Sequence, residues 1–74
     1  MTLDKLAKNQ EAIITKLNCN DELKQRFYSF GLIEGATIHI EHCAIGKKTI
    51  EVVVDNTAIA IRNEEAQQII VDKI

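Results

Sequence analysis

The sequence predicts a mainly β domain: a small barrel of about five short antiparallel strands, with one α-helix inserted after the first strand and short helical turns near both termini. Three observations predict it. Short stretches rich in β-branched residues recur along the chain, "EAIITKL", "ATIHI", "TIEVVV", "TAIAI" and "IIVDKI", and such residues suit the pleated, half-buried surface of a strand. One stretch alone, residues 20–30, spaces its apolar side chains as a helix does. The chain has three glycines and no proline, and two of those glycines bracket Leu32, Ile33 and Glu34, where the pattern changes from helix to strand. Strands this short leave exposed edges, which curling into a barrel removes when the first and last strands meet.

Each element has its own signal. Leu3 and Leu6 behind Thr2, with Asp4 in the first turn, suit one helical turn capped by Thr2. Residues 11–17 read as the first strand, although the pair Ile13–Ile14 breaks the alternation; a bulge or burial on both faces would account for it. Asn20 is a good N-cap, Asp21 and Glu22 set negative charge at the positive end of the helix dipole, and Leu23, Phe27 and Phe30 fall on one face. Gly31 then ends the helix at the position that wants a left-handed residue, and Leu32 closes on Phe27. Gly35 supplies the positive φ of the turn that feeds the strand beginning at Ala36. After Gly46, in a loop with Lys47 and Lys48, Ile50, Val52 and Val54 alternate; Asp55–Asn56 makes a tight hairpin, and Ile59 and Ile61 resume the inward set. Asn63 is expected to cap a last helical turn with Ala66 and Ile69 facing inward, before a final strand in 69–74.

Size and charge narrow the function. A chain of 74 residues makes one domain, because at this length only roughly 60% of the unfolded surface is buried and one core is all it supports. Nine basic against eleven acidic residues give a net charge of −2, which argues against a nucleic-acid partner, since such binding is driven by counterion release from a cationic surface. The apolar runs fall far short of the roughly 20 residues of a membrane-spanning helix. With a polar N-terminus and two cysteines, Cys19 and Cys43, the expectation is a cytoplasmic protein with reduced thiols.

Catalysis needs a nucleophile with its base, or paired carboxylates, held in a cleft, and no such set is visible; the expectation is a protein that is not an enzyme and holds no cofactor. The run "HIEHC" raises a metal question, with His39, His42 and Cys43 as its candidate ligands. His39, Glu41 and Cys43 would share one strand face, but residues two apart on a strand are roughly 7 Å apart and four apart roughly 13 Å, too far to close on one ion without a bend. A solvated polar face is the favoured reading. Phe27, Tyr28 and Phe30 are expected in the core rather than as a base-stacking platform, Leu32 is expected to be buried, and Ile33 could face either way. Arg26 and Arg62 read as surface charges.

The order "TLDKL", a strand, "ELKQRFYSFGLIEGATIHI" and "IEVVVDNTAIAIRNEEAQQIIV" resembles, over essentially the whole chain, the FeoA family, small cytoplasmic proteins of bacterial ferrous-iron uptake. The specific parts are Arg26 with Phe30-Gly31-Leu32 and Gly35, where the family reads R-L-x-x-L-G-L-x-P-G, and Ala60-Ile61-Arg62 with Glu65-Ala66 and Ile69 to Val71. Glu34 stands where proline is usual, and Asn9 and Asn56 where glycine is common. The resemblance implies an SH3-like barrel and an accessory role through docking on the cytoplasmic part of FeoB, the membrane GTPase-transporter. Arg26, Ile33 and Glu34, at the end of the helix, are the candidate partner-binding residues. The C-terminal module of DtxR-type repressors is similar, so a regulatory module that binds a transition metal directly is the alternative; a DNA-binding winged helix is not expected within these 74 residues.

Overall fold

The computed structural model describes residues 1–43 and 48–74, Cys43 by its backbone alone. A 3-10 turn at Leu3–Lys5 is followed by β1 (Glu11–Leu17), α1 (Asp21–Ser29), β2 (Thr37–Cys43), β3 (Thr49–Val54), β4 (Thr57–Arg62), the single turn α2 (Asn63–Ala66) and β5 (Ile69–Lys73). The strands form one antiparallel sheet in the order β4-β3-β2-β1-β5, so the first and last strands are neighbours. Inward residues of all five strands belong to a single core with Leu3, Leu6, Phe27, Leu32 and Ala66. A sheet whose every strand faces one core has to wrap round it, and this is the expected small barrel. The expected loop around Gly46 and Lys47 lies outside the described residues.

The break in the pattern of β1 is a bulge. Ala12 and Ile14 face the core, the register against β5 shifts between Ile14 and Lys16, and Leu17 then returns to the inside. Thr15, the extra residue, donates its hydroxyl to the Ile70 carbonyl at 3.2 Å. A second shift, between Ile40 and His42, places a bulge in β2. The β3–β4 hairpin turns on Asp55 and Asn56, both at positive φ (50° and 64°), which is the two-residue turn whose twist matches that of paired strands. The turn at residues 3–5 has Thr2 at its N-cap position, but the hydroxyl of Thr2 donates to the Asp4 carboxylate rather than capping the backbone.

Asn20 caps α1 as expected, its Oδ1 accepting the Leu23 N–H at 2.9 Å. At the other end the chain makes a complete Schellman motif: Leu32 N–H donates to the Phe27 carbonyl and Gly31 N–H to that of Tyr28, both at 3.0 Å, with Gly31 at φ 88°. Leu32 therefore re-enters the core beside Phe27, and both are buried. Phe30 and Tyr28, expected inside, are instead exposed. Phe30 is the C-cap residue and Leu32 takes the core position one turn beyond Phe27, which leaves no interior space for a second large ring. The cap of α2 also differs from expectation: it is Arg62, with Asn63 the first helical residue. The strand runs straight into the turn, and Asn63 N–H is held by the Lys48 carbonyl at 2.9 Å.

Residues 33–36 form the turn that feeds β2. Ala36 N–H donates to the Ile33 carbonyl at 3.0 Å with Gly35 at φ 92°, the hydrogen bond and the third-position glycine of a type II turn. The turn is pinned to the bulged strand, because Gly35 N–H donates to the Ile14 carbonyl at 2.7 Å and Ile14 N–H to that of Ala36 at 2.9 Å.

A Cβ at position 31 would meet Asp55 Oδ2 only at 3.8 Å, so Gly31→Ala should cost backbone strain alone, about 1–2 kcal/mol, read as a lower urea midpoint at unchanged m-value. Glu34 occupies the turn position that suits proline, and Glu34→Pro should raise stability by about 0.4–1 kcal/mol through the unfolded chain relative to Glu34→Ala, which removes the same exposed hydrogen bond from Tyr28; thermal unfolding of the two variants followed by circular dichroism measures it.

Candidate functional site

The end of α1 gathers half of the exposed large apolar side chains among the described residues. Tyr28, Phe30 and Ile33 are 37%, 43% and 45% exposed, and of the other such residues among those described, Met1 and Ile74 are chain ends while Ile13 lies on β1. The core residues, by contrast, are 8% exposed or less. The patch is built on fixed backbone: the Schellman bonds set Phe30 and Leu32, and the type II turn sets Ile33 and Glu34. Tyr28 Oη donates to Glu34 Oε1 at 3.2 Å, tying the last turn of the helix to the following loop. Partial desolvation, then the acceptor Glu34, raises the Tyr28 pKa above the ordinary phenol value, so the hydroxyl stays protonated and keeps its donor role at neutral pH. Cys19, half-buried just before α1, is likewise held as a thiol chiefly by desolvation.

Of the three candidate partner-binding residues, the structure brings Ile33 and Glu34 into this patch together with Tyr28 and Phe30. Arg26 is engaged elsewhere. Its Nη1 contacts Glu65 Oε2 at 3.2 Å, while Glu65 Oε1 accepts the Arg62 N–H at 3.2 Å. One largely buried carboxylate thus joins α1 to the cap of α2. Tyr28 and Phe30 were missed as surface residues, although the position of Phe30 directly before Gly31 carried the signal: a side chain at the cap lies beyond the last full turn of a helical face.

The bulge in β2 rearranges the expected metal candidates. His39 pairs with Val53 and His42 with Glu51, while Cys43 takes the register position opposite the inward-facing Ile50. His39 and His42 therefore share the outer face, and Cys43 stands on the other register, which corrects the expectation that His39, Glu41 and Cys43 share one face. Glu41 lies at the bulge, its Oε2 3.7 Å from His39 Nε2. Among the described residues no group of three or more His, Cys, Asp or Glu side chains is placed to hold a metal ion. A shallow groove of about 560 Å³ between the N-terminal turn, β3 and α2 is lined by Asp4, Lys5, Leu6, Ala7, Ile50, Asn63 and Gln67, which pair no nucleophile with a base.

A family model described as the FeoA domain matches residues 1–73. The chain belongs to the FeoA family. The Fe(2+) transport protein A of Campylobacter jejuni is 39% identical over 74 residues, the full length of both chains. Among solved structures, the FeoA protein of Chlorobium tepidum superposes with a TM-score of 0.94 at 26% identity, covering all of this chain and 70% of that one. The zinc-complexed FeoA of Stenotrophomonas maltophilia, described as a prokaryotic SH3 domain protein, gives a TM-score of 0.84 at 26% identity over 97% of this chain and 89% of the other. The fold is thus the SH3-like barrel of FeoA proteins. Two stretches that mark the resemblance to the family, distant in sequence, meet in space as the Arg26–Glu65 pair.

Because Glu65 is largely buried and holds two donors whereas Arg26 is mostly exposed, the two ends of the pair are unequal. Glu65→Ala should lower stability by about 1–2 kcal/mol and Arg26→Ala by no more than about 1 kcal/mol. A double-mutant cycle in urea separates the ion pair from the cap.

Proposed function

We propose that this FeoA-family chain is a non-catalytic accessory protein of bacterial ferrous-iron uptake, acting on the cytoplasmic side by docking on the cytoplasmic part of a FeoB-type GTPase-transporter. Family membership supports the process. The observation that carries the docking reading is the apolar patch of Tyr28, Phe30 and Ile33 beside Glu34, exposed yet held on a hydrogen-bonded helix end. Aromatic and apolar side chains that are already ordered lose little conformational entropy on association, which makes such a patch an efficient contact. No helix among the described residues is long and apolar enough to cross a membrane, so on this reading the contribution to transport passes through the partner.

Docking changes the partner when the patch binds one of its conformations better than another. A difference of about 1.4 kcal/mol in affinity shifts such an equilibrium tenfold. Arg26, paired with Glu65, supports the helix that presents the patch. The alternative, direct metal binding, has a single His–carboxylate contact behind it, His39 with Glu41; anaerobic calorimetry with Fe²⁺ decides it, and an uptake of heat or its release at stoichiometric metal would favour that reading.

Ile33→Asp should weaken binding to the isolated cytoplasmic domain of FeoB by about tenfold or more while leaving the melting temperature nearly unchanged, since Ile33 is outside the core. Titration calorimetry with the folded variant is the test, and unchanged affinity rules the patch out.

A further inference from the structure

The two ends of the sheet are finished differently. Along β5 the chain's own N-terminus covers the outer edge: Val71 N–H donates to the Met1 carbonyl at 2.8 Å and Thr2 bridges Ile70. β5 also ends in Asp72 and Lys73, charges of the kind that discourage edge pairing. At the opposite end, no backbone among the described residues pairs with the outer edge of β4, and its one charge is the terminal Arg62. The strand pairs with β3 through six consecutive residues with no bulge, contains no proline, and carries no charge from Thr57 to Ile61.

The hairpin fixes which backbone groups of β4 look outward. A two-residue turn makes its flanking residues, Val54 and Thr57, a hydrogen-bonded pair, and the pattern then alternates. Ile59 and Ile61 therefore bond to β3, while Ala58, Ala60 and Arg62 present N–H and C=O to the outside. Of these, the Arg62 N–H is already taken by Glu65. Ala58 and Ala60 are left, both exposed and with methyl side chains that let another strand approach. Ile59 between them is 8% exposed, the most accessible member of the core.

We infer that the outer edge of β4 pairs antiparallel with the same edge of a second copy of this chain, in the register that sets Ile59 opposite Ile59 of the other copy. This register uses both free positions: Ala58 faces Ala60 of the second copy and Ala60 faces its Ala58, giving four backbone hydrogen bonds and using no donor already engaged. A register centred on Ala60 would call on the Arg62 N–H, which the α2 cap holds. Charge agrees with the same choice. β4 runs from the exposed Asp55–Asn56 turn to the exposed Arg62, and among the described residues Arg62 has no carboxylate partner. Antiparallel pairing sets each Arg62 across from Asn56 of the other copy and next to its Asp55, two complementary contacts related by the twofold axis. The paired sheets would be continuous through ten strands.

Sedimentation equilibrium from micromolar to millimolar protein tests this, together with amide exchange by NMR at both ends of that range. The expected result is a concentration-dependent dimer in which the Ala58 and Ala60 amides, fast-exchanging when dilute, become protected when concentrated. Ala60→Pro removes an outward N–H and no bond to β3, and should weaken association about tenfold or more. Arg62→Glu should weaken it as well, and Asp55→Arg in the same chain should restore it. Circular dichroism confirms that each variant is folded, and the amide exchange of the unmodified chain stands as evidence if one is not. A chain that stays monomeric throughout, a dimer insensitive to Ala60→Pro, or association that perturbs Tyr28, Phe30 and Ile33 in place of β4 overturns the inference.

Discussion

The abrupt halt of α1 is the constraint on which the rest of the structure depends. A helix continued past Ser29 would carry Leu32 away from the core and leave β1 without the loop that grips it. Gly31, at φ 88°, lets the backbone reverse, so that two amides satisfy the last carbonyls and Leu32 lands beside Phe27. Burial of two such side chains contributes on the order of 2–3 kcal/mol each, a substantial part of the stability of a domain this small. The same reversal forces Ile33 outward, and the type II turn at Gly35 then hands its amide to β1. One backbone event therefore decides the core, the register of the first strand and the composition of the exposed patch.

The patch is informative because of what holds it. Exposed apolar residues on a loose loop would cost entropy to order in any complex. Here the Schellman motif, the turn and the Tyr28–Glu34 hydrogen bond immobilise the backbone on both sides of Ile33. Glu65 acts from the other side of the chain, binding Arg26 of α1 while completing the cap of α2. Residues that a surface inspection would class as scattered charges are in this way the fastening of the helix that presents the patch.

The two bulges show how small irregularities reassign chemistry. In β1 an extra residue at Thr15 reconciles an imperfect alternation with a continuous core. In β2 the shift beyond Ile40 gathers His39 and His42 on the outer face and moves the Cys43 register to the inner one. Read as a regular strand, "HIEHC" would put His39 and His42 on opposite faces, and the bulge puts them on the same one.

Much of the architecture was legible in the amino-acid order, because its determinants are local. Asn20 as a cap, Gly31 and Gly35 as left-handed positions, Asp55–Asn56 as a hairpin and the alternation of β3 and β4 each depend on a few neighbouring residues and on backbone sterics that hold in any context. What the tertiary structure alone decided involves competition between distant groups for the same space or the same hydrogen bond. Phe30 is outside because Leu32 reached the interior position; Arg62 caps α2 because β4 continues to Lys48's partner at Asn63; Arg26 is fastened because Glu65, 39 positions away, arrives beside it. No periodicity within a helix or a strand encodes such meetings, since they exist only once the sheet has wrapped and brought Arg26 within reach of Glu65.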